Sequence, residues 1–117
     1  MPKAGHLVHM PSHIYARVGE YDRSNASNEK AIRVDEEFLA ESEDQGFYRI
    51  GYYPHNIDFL VYGSMMNGRY AAAFRDAAKL SYHMKAMESV MPAYYDFFSM
   101  APLITYVRFG GCNDILA

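Results

Sequence analysis

Pro11-Ser12-His13-Ile14-Tyr15-Ala16-Arg17-Val18-Gly19 and Pro102-Leu103-Ile104-Thr105-Tyr106-Val107-Arg108-Phe109-Gly110 share the spacing Pro-x-x-x-Tyr-x-x-x-Gly, and Asn67-Gly68-Arg69-Tyr70 places a third glycine in similar surroundings between them. A unit that recurs every few dozen residues predicts stacked copies of one small supersecondary element, each covering its neighbour's apolar side. Working outward from the first copy, Leu7, Pro11, Ile14, Tyr15 and Val18 fall at helical spacing and mark a helix over about 6–18 that stops at Gly19, with Pro11 as a kink or late start. After the turn, Ser24, Ser27, Ala31, Val34 and Phe38 form a second stripe over about 22–41, its small residues allowing a partner helix to approach closely.

The same arrangement follows downstream. Residues 42–53 are polar and then aromatic without helical spacing and read as a connector that packs by its rings. Pro54 suits a first helical turn, and Ile57, Leu60, Val61, Ser64 and Met65 carry a helix to the Asn67-Gly68 stop. Ala73, Ala77, Leu80, Met84 and Met87 continue over about 70–89, Pro92 breaks the run, and a fifth helix over about 94–109 contains Pro102. No strand-like alternation bounded by turn pairs occurs, so the predicted fold class is all-α.

Tyr15-Ala16-Arg17-Val18-Gly19-Glu20-Tyr21-Asp22 followed by Asn28-Glu29-Lys30-Ala31 resembles a tetratricopeptide repeat in its Gly-x-Tyr turn and later alanine. Met66-Asn67-Gly68-Arg69-Tyr70-Ala71-Ala72-Ala73 repeats the turn, and Val107-Arg108-Phe109-Gly110-Gly111 repeats it more weakly, with Cys112 in the aromatic position. The turn glycines stand 49 and 42 residues apart, against about 34 in that family, and neither second helix ends in the family's usual proline. Gly5 to Tyr15 together with Tyr52-Tyr53-Pro54-His55-Asn56 also resembles a group of larger bacterial repeat proteins of undefined role. The resemblance implies helix-turn-helix repeats in a short right-handed solenoid: repeat one over about 5–41, connector 42–53, repeat two over about 54–91, and the first helix of an incomplete third repeat over about 94–117.

Composition bounds the function. The 117 residues carry a formal net charge of −3 with eleven scattered Lys and Arg, which gives no basic stripe for a nucleic-acid backbone. No apolar run reaches the roughly 18 residues of a membrane span, and residues 1–10 lack the continuous apolar centre of a secretion signal. With the single cysteine, Cys112, these features fit a reducing cytoplasm. Asn25-Ala26-Ser27 matches a glycosylation sequon inside a predicted helix and is read as chance.

Chemistry is concentrated in histidine. His6, His9 and His13 stand three and four residues apart and share one side of a helix; His55, Asp58 and Tyr62 do the same on the later one. The resemblance places both stripes, with Arg17, on a concave inner face. Three readings stand open: structural histidines hydrogen-bonded to tyrosine or main chain; a groove bordered by His6, His9, His13, Arg17, His55, Asp58 and Tyr62 that holds a protein or peptide segment in a non-catalytic scaffold; or a zinc site on His9, His13, His55 and Asp58, which could support hydrolytic chemistry in a larger parent protein. No glutamate stands between His9 and His13, and neither a Gly-x-Ser-x-Gly elbow nor a phosphate-cradling loop occurs, so no catalytic residue is assigned. Tyr48, Tyr52 and Tyr53 are candidate partner contacts, and Asp35, Glu36, Glu37, Glu41, Glu43 and Asp44 a solvated acidic face. Leu103, Ile104, Val107 and Phe109 would form an apolar strip that a second copy covers, predicting a homodimer.

Overall fold

The computed structural model describes residues 4–42 and 46–116, and the protein is all-α. Helices α1 (Gly5–His9) and α2 (Pro11–Arg17) lead through Gly19 into α3 (Tyr21–Glu41). A π-helical segment (Tyr48–Tyr52) runs into α4 (Tyr53–Met66), which turns at Gly68 into α5 (Tyr70–Met84) and a short 3-10 turn (Lys85–Met87). Three short helices follow: α6 (Pro92–Ser99), α7 (Ala101–Phe109) and α8 (Cys112–Leu116). None of the described helices is long and apolar enough to cross a membrane.

The repeated glycines act as their spacing predicts. Gly19, Gly68 and Gly110 have φ of +80°, +77° and +76°, a left-handed backbone that side chains with a Cβ resist. Each ends one helix and lets the chain reverse into the next. The first two reversals are tied across the helices: Asn67 donates to Asp22 at 2.8 Å, and Arg69 pairs with Glu29 at 3.3 Å.

Sequential packing follows. α3 lies against α1, α2 and α4; α5 lies against α4, α6 and α7. The core between α3, α4 and α5 consists of Ile32, Ile57, Leu60, Val61, Ala77, Leu80 and Met84, closed at one end by Tyr53, Phe98 and Ala101. Met65 and Met87 fill its margin, while Met66 is exposed.

Three readings of the sequence change. Pro102 does not sit inside one long helix: α6 ends at Ser99 and Pro102 occupies the first turn of α7, where its missing N–H costs no hydrogen bond. From residue 46 the segment read as an irregular connector is helical, wound as a π-helix that feeds α4 without a break. The third change is on the first helices: Leu7, Met10, Pro11, Ile14 and Val18 face outward, and the buried residues are Gly5, His9 and Ser12. A polar layer therefore lies where an apolar stripe was expected.

At the other end Leu103, Ile104 and Val107 are also exposed, whereas Phe109 is half-buried with its ring against Tyr70 at 5.1 Å.

Candidate functional site

The polar layer is built on α3. Ser24, Asn25, Asn28 and Asp35 are fully buried at helical spacing on that helix, among Ala31 and Ile32. Asn25, the sequon residue, is thus inside the protein. Buried polar atoms must find partners, because each one left unpaired costs about 1–3 kcal/mol, and here the partners come from α1, α2 and α4.

Asp35 is the hub. Its carboxylate accepts the Tyr48 hydroxyl at 2.6 Å, Asn56 Nδ2 at 2.7 Å and the Gly5 main-chain N–H. The Tyr48 oxygen in turn accepts the His6 N–H at 3.2 Å. The first amides of α1 are therefore capped by a carboxylate and a phenol rather than by a residue beside them in sequence. Burial pushes the Asp35 carboxyl above its ordinary range despite these hydrogen bonds. Burial and the bond to Asp35 hold the Tyr48 phenol up at about 12. A Cβ at Gly5 would fall on Asp35 Oδ1 and the Ala31 carbonyl, so glycine alone lets α1 seat this close to α3.

On that floor the histidines converge. Asn28 Nδ2 donates to the Ser24 carbonyl at 3.0 Å, which leaves Asn28 Oδ1 to accept from His9 Nδ1–H at 2.6 Å. The Ser12 hydroxyl lies 3.2 Å from the same nitrogen. The tautomer of neutral His9 is thereby fixed, with its one lone pair on Nε2. Two further rings approach that lone pair: His13 Nε2 at 2.9 Å and His55 Nε2 at 3.0 Å. A single lone pair accepts one of them as a donor in the ring plane and leaves the other competing for it.

His6 completes the group. One ligand atom each of His6, His9 and His55 lie within 4.8 Å of one another. The His6 Nδ1 atom is buried without a hydrogen-bond partner. Its ring stacks on His9 at 5.3 Å between centroids and leans on Tyr52 at 4.3 Å. Phe59 closes the opposite side, edge-on to His9 at 5.1 Å.

Burial and mutual repulsion disfavour charge on His9, His13 and His55. His9 is lowered to about 4, first by burial and then by the charges His55, His13 and His6 would carry, with the Asn28 hydrogen bond opposing. His13 is lowered by burial, then by His6 and Arg17; His55 is lowered by burial, then by His6 and His13. Neutral His9, His13 and His55 each keep one nitrogen lone pair, the form in which imidazole binds a cation.

Two clefts flank the cluster. One, of about 410 Å³, is lined by His13, Ala16, Arg17, Asp58, Phe59 and Tyr62; the other, of about 240 Å³, by His6, Phe47, Gly51, Tyr52, His55, Tyr94 and Phe98. The seven residues predicted to border a groove thus divide: His6, His9, His13 and His55 form the cluster, and Arg17, Asp58 and Tyr62 line the neighbouring cleft with His13. Of the predicted zinc ligands, His13 and Asp58 lie outside the group of close ligand atoms, which joins His6 to His9 and His55. Burial alone pushes the Asp58 carboxyl up to about 6.

Other assignments shift with burial. Asp35 is no part of a solvated face, while Glu36 accepts from Tyr53 at 2.9 Å and pairs with Lys79, and Glu37 is exposed. Glu43 and Asp44 lie outside the described residues. Tyr53 is buried and Tyr48 half-buried, both through hydrogen bonds to α3, which leaves Tyr52 as the exposed ring of the three. The fifth histidine, His83, contacts the Arg49 carbonyl at 2.9 Å, apart from the cluster, and Cys112 is an exposed free thiol. The chain matches no protein-family model, no curated protein and no solved structure, so its geometry carries the functional reading.

Proposed function

We propose that this chain is a metal-binding helical-repeat module that holds one divalent transition-metal ion, of the zinc class, on His6, His9 and His55, with His13 or a water in the fourth position. The helix pairs reversing at Gly19 and Gly68 are read as tetratricopeptide-like units in a short right-handed solenoid, whose inner wall α1, α2 and α4 supply. The observation that carries the metal reading is the His9 Nε2 lone pair with two further Nε2 atoms at 2.9 and 3.0 Å. An ion bound tetrahedrally at about 2.0–2.1 Å from each nitrogen spaces them about 3.3 Å apart, so His55 and His9 already stand near ligand spacing, and His6, within 4.8 Å of both, closes on the ion by a shift of its ring. The ion would resolve the competition for that lone pair and give the unpartnered His6 Nδ1 a bond. The Asn28 carbonyl behind His9 Nδ1–H is the outer-shell acceptor that orients a ligating imidazole and raises its basicity.

Such a module is tested on protein purified without a histidine tag. After incubation with Zn²⁺ or Co²⁺ and gel filtration, about one equivalent should remain per chain, and Co²⁺ should show the intense visible absorption of a low-coordinate site. Metal at 100 times its dissociation constant should add about 2.7 kcal/mol of stability, removed by chelator. His9→Ala and His55→Ala should each abolish retention. A chain that retains no metal and melts identically with and without chelator refutes the proposal.

A further inference from the structure

The larger cleft beside the cluster, about 410 Å³ between α2 and α4, carries two opposite charges that are not paired with each other. Among the described residues Arg17 makes no salt bridge, and Asp58 makes neither a hydrogen bond nor a salt bridge. Asp58 is nonetheless half-buried, and no cation among the described residues pairs with it. The same cleft is lined by rings: Phe59 leans on His13 at 4.4 Å and on Tyr62 at 6.0 Å, and Tyr62 is backed by Tyr21 at 6.3 Å. The cleft falls at the lower end of the range of small-molecule sites, about 300–1,000 Å³.

We propose that this cleft binds a small zwitterion, an amino acid or a short peptide, with the ligand ammonium on Asp58, its carboxylate on Arg17 and its apolar part against Phe59 and Tyr62. A ligand with a single charge satisfies one wall and is repelled by the other; a zwitterion of fitting length satisfies both. Guanidinium suits a carboxylate because its N–H groups meet both oxygens in one plane. An ammonium gives the Asp58 carboxylate, which has no hydrogen-bond partner among the described residues, a charged donor. The aromatic wall, bare of further donors and acceptors apart from the Tyr62 hydroxyl and the His13 ring, suits a side chain rather than a sugar.

The proposal is independent of the ion, and its test is run in chelator at pH near 7.5, with calorimetric titration of L-phenylalanine, L-phenylalaninamide, N-acetyl-L-phenylalanine and the dipeptide Phe-Gly. Saturable binding of phenylalanine or Phe-Gly is expected, about tenfold or more weaker for each blocked form, and the tighter of the two zwitterions identifies the source. Arg17→Gln should erase the preference for phenylalanine over its amide, and Asp58→Asn the preference over its N-acetyl form, with circular dichroism unchanged in both. No saturation by either zwitterion, or blocked forms bound as well as the parent, overturns the proposal. Because no metal is present, this outcome is separate from zinc retention: a chain that binds phenylalanine and no zinc keeps this inference and loses the other.

Discussion

Among single residues Asp35 does the most to hold the site together, although it contacts no imidazole through a hydrogen bond of its own. It fastens the start of α1, the π-helical segment and α4 to one point on α3 through Gly5, Tyr48 and Asn56. Asp35→Ala orphans three donors, each costing about 1–3 kcal/mol when left buried, so a loss of about 3 kcal/mol or more is expected in urea unfolding. Tyr48→Phe removes one of those bonds together with the acceptor of the His6 N–H and should cost about 2 kcal/mol. Glu37→Ala, at an exposed position of the same helix, should stay within about 0.5 kcal/mol. If Asp35→Ala proved no worse than Glu37→Ala, the hub described here would be wrong. A second consequence concerns the metal: with α1 unpinned His6 loses its place, so Asp35→Ala at low temperature should retain less zinc than Tyr48→Phe.

At the scale of elements, the glycine turns were the legible part. Gly68 holds φ at +77°, and Gly68→Ala should cost roughly 1 kcal/mol through strain alone, because a Cβ there meets open space; a neutral melting temperature would show the turn to be adaptable. The histidine stripes were legible as well, since spacings of three and four put each set on one side of its helix, while their facing one another was only what the resemblance implied. What the sequence hid was the layer beneath them. Asn28 and Asp35 share the stripe of Ser24 and Ala31, yet polar side chains on a helix ordinarily face water, and only the burial of His9 and Gly5 opposite them reverses that expectation. The outward Leu7, Ile14 and Val18 misled for the same reason: periodicity shows that a helix has two faces, not which one the core takes. Pro102 was hard to place because a proline inside a kinked helix and one that opens a new helix leave the same local pattern.

For the whole molecule, the buried titratable groups set opposing dependences on pH. His9 has its folded value near 4 against an ordinary 6.5, so the folded state binds fewer protons between those values. The stability is present above about 6.5 and is lost as pH falls toward 4, about 3 kcal/mol in all. His13 and His55 are lowered too and act in the same direction. Asp58 runs the other way: with a folded value near 6 against an ordinary 3.8, stability is greatest at low pH and is lost as pH rises through 6. Its half-exposure to the cleft reduces that loss to roughly 1–2 kcal/mol. Between pH 4 and 6 the two sets oppose, Asp35 acting with Asp58, so the metal-free protein should lose stability on acidification less steeply than the histidines alone would make it. Asp58→Asn removes the Asp58 share of the opposing slope: it should be roughly 1–2 kcal/mol more stable than the parent at pH 7.5 and should lose stability more steeply on acidification, measured by urea unfolding at pH 5, 6 and 7.5 in chelator. A less stable Asp58→Asn at pH 7.5 would show that the carboxylate is compensated within the protein and would remove the reason for seeking its counter-ion in a ligand. A more stable one would leave a charge that weakens the free protein in the cleft it shares with Arg17, Phe59 and Tyr62, the combination that a zwitterionic ligand relieves on binding.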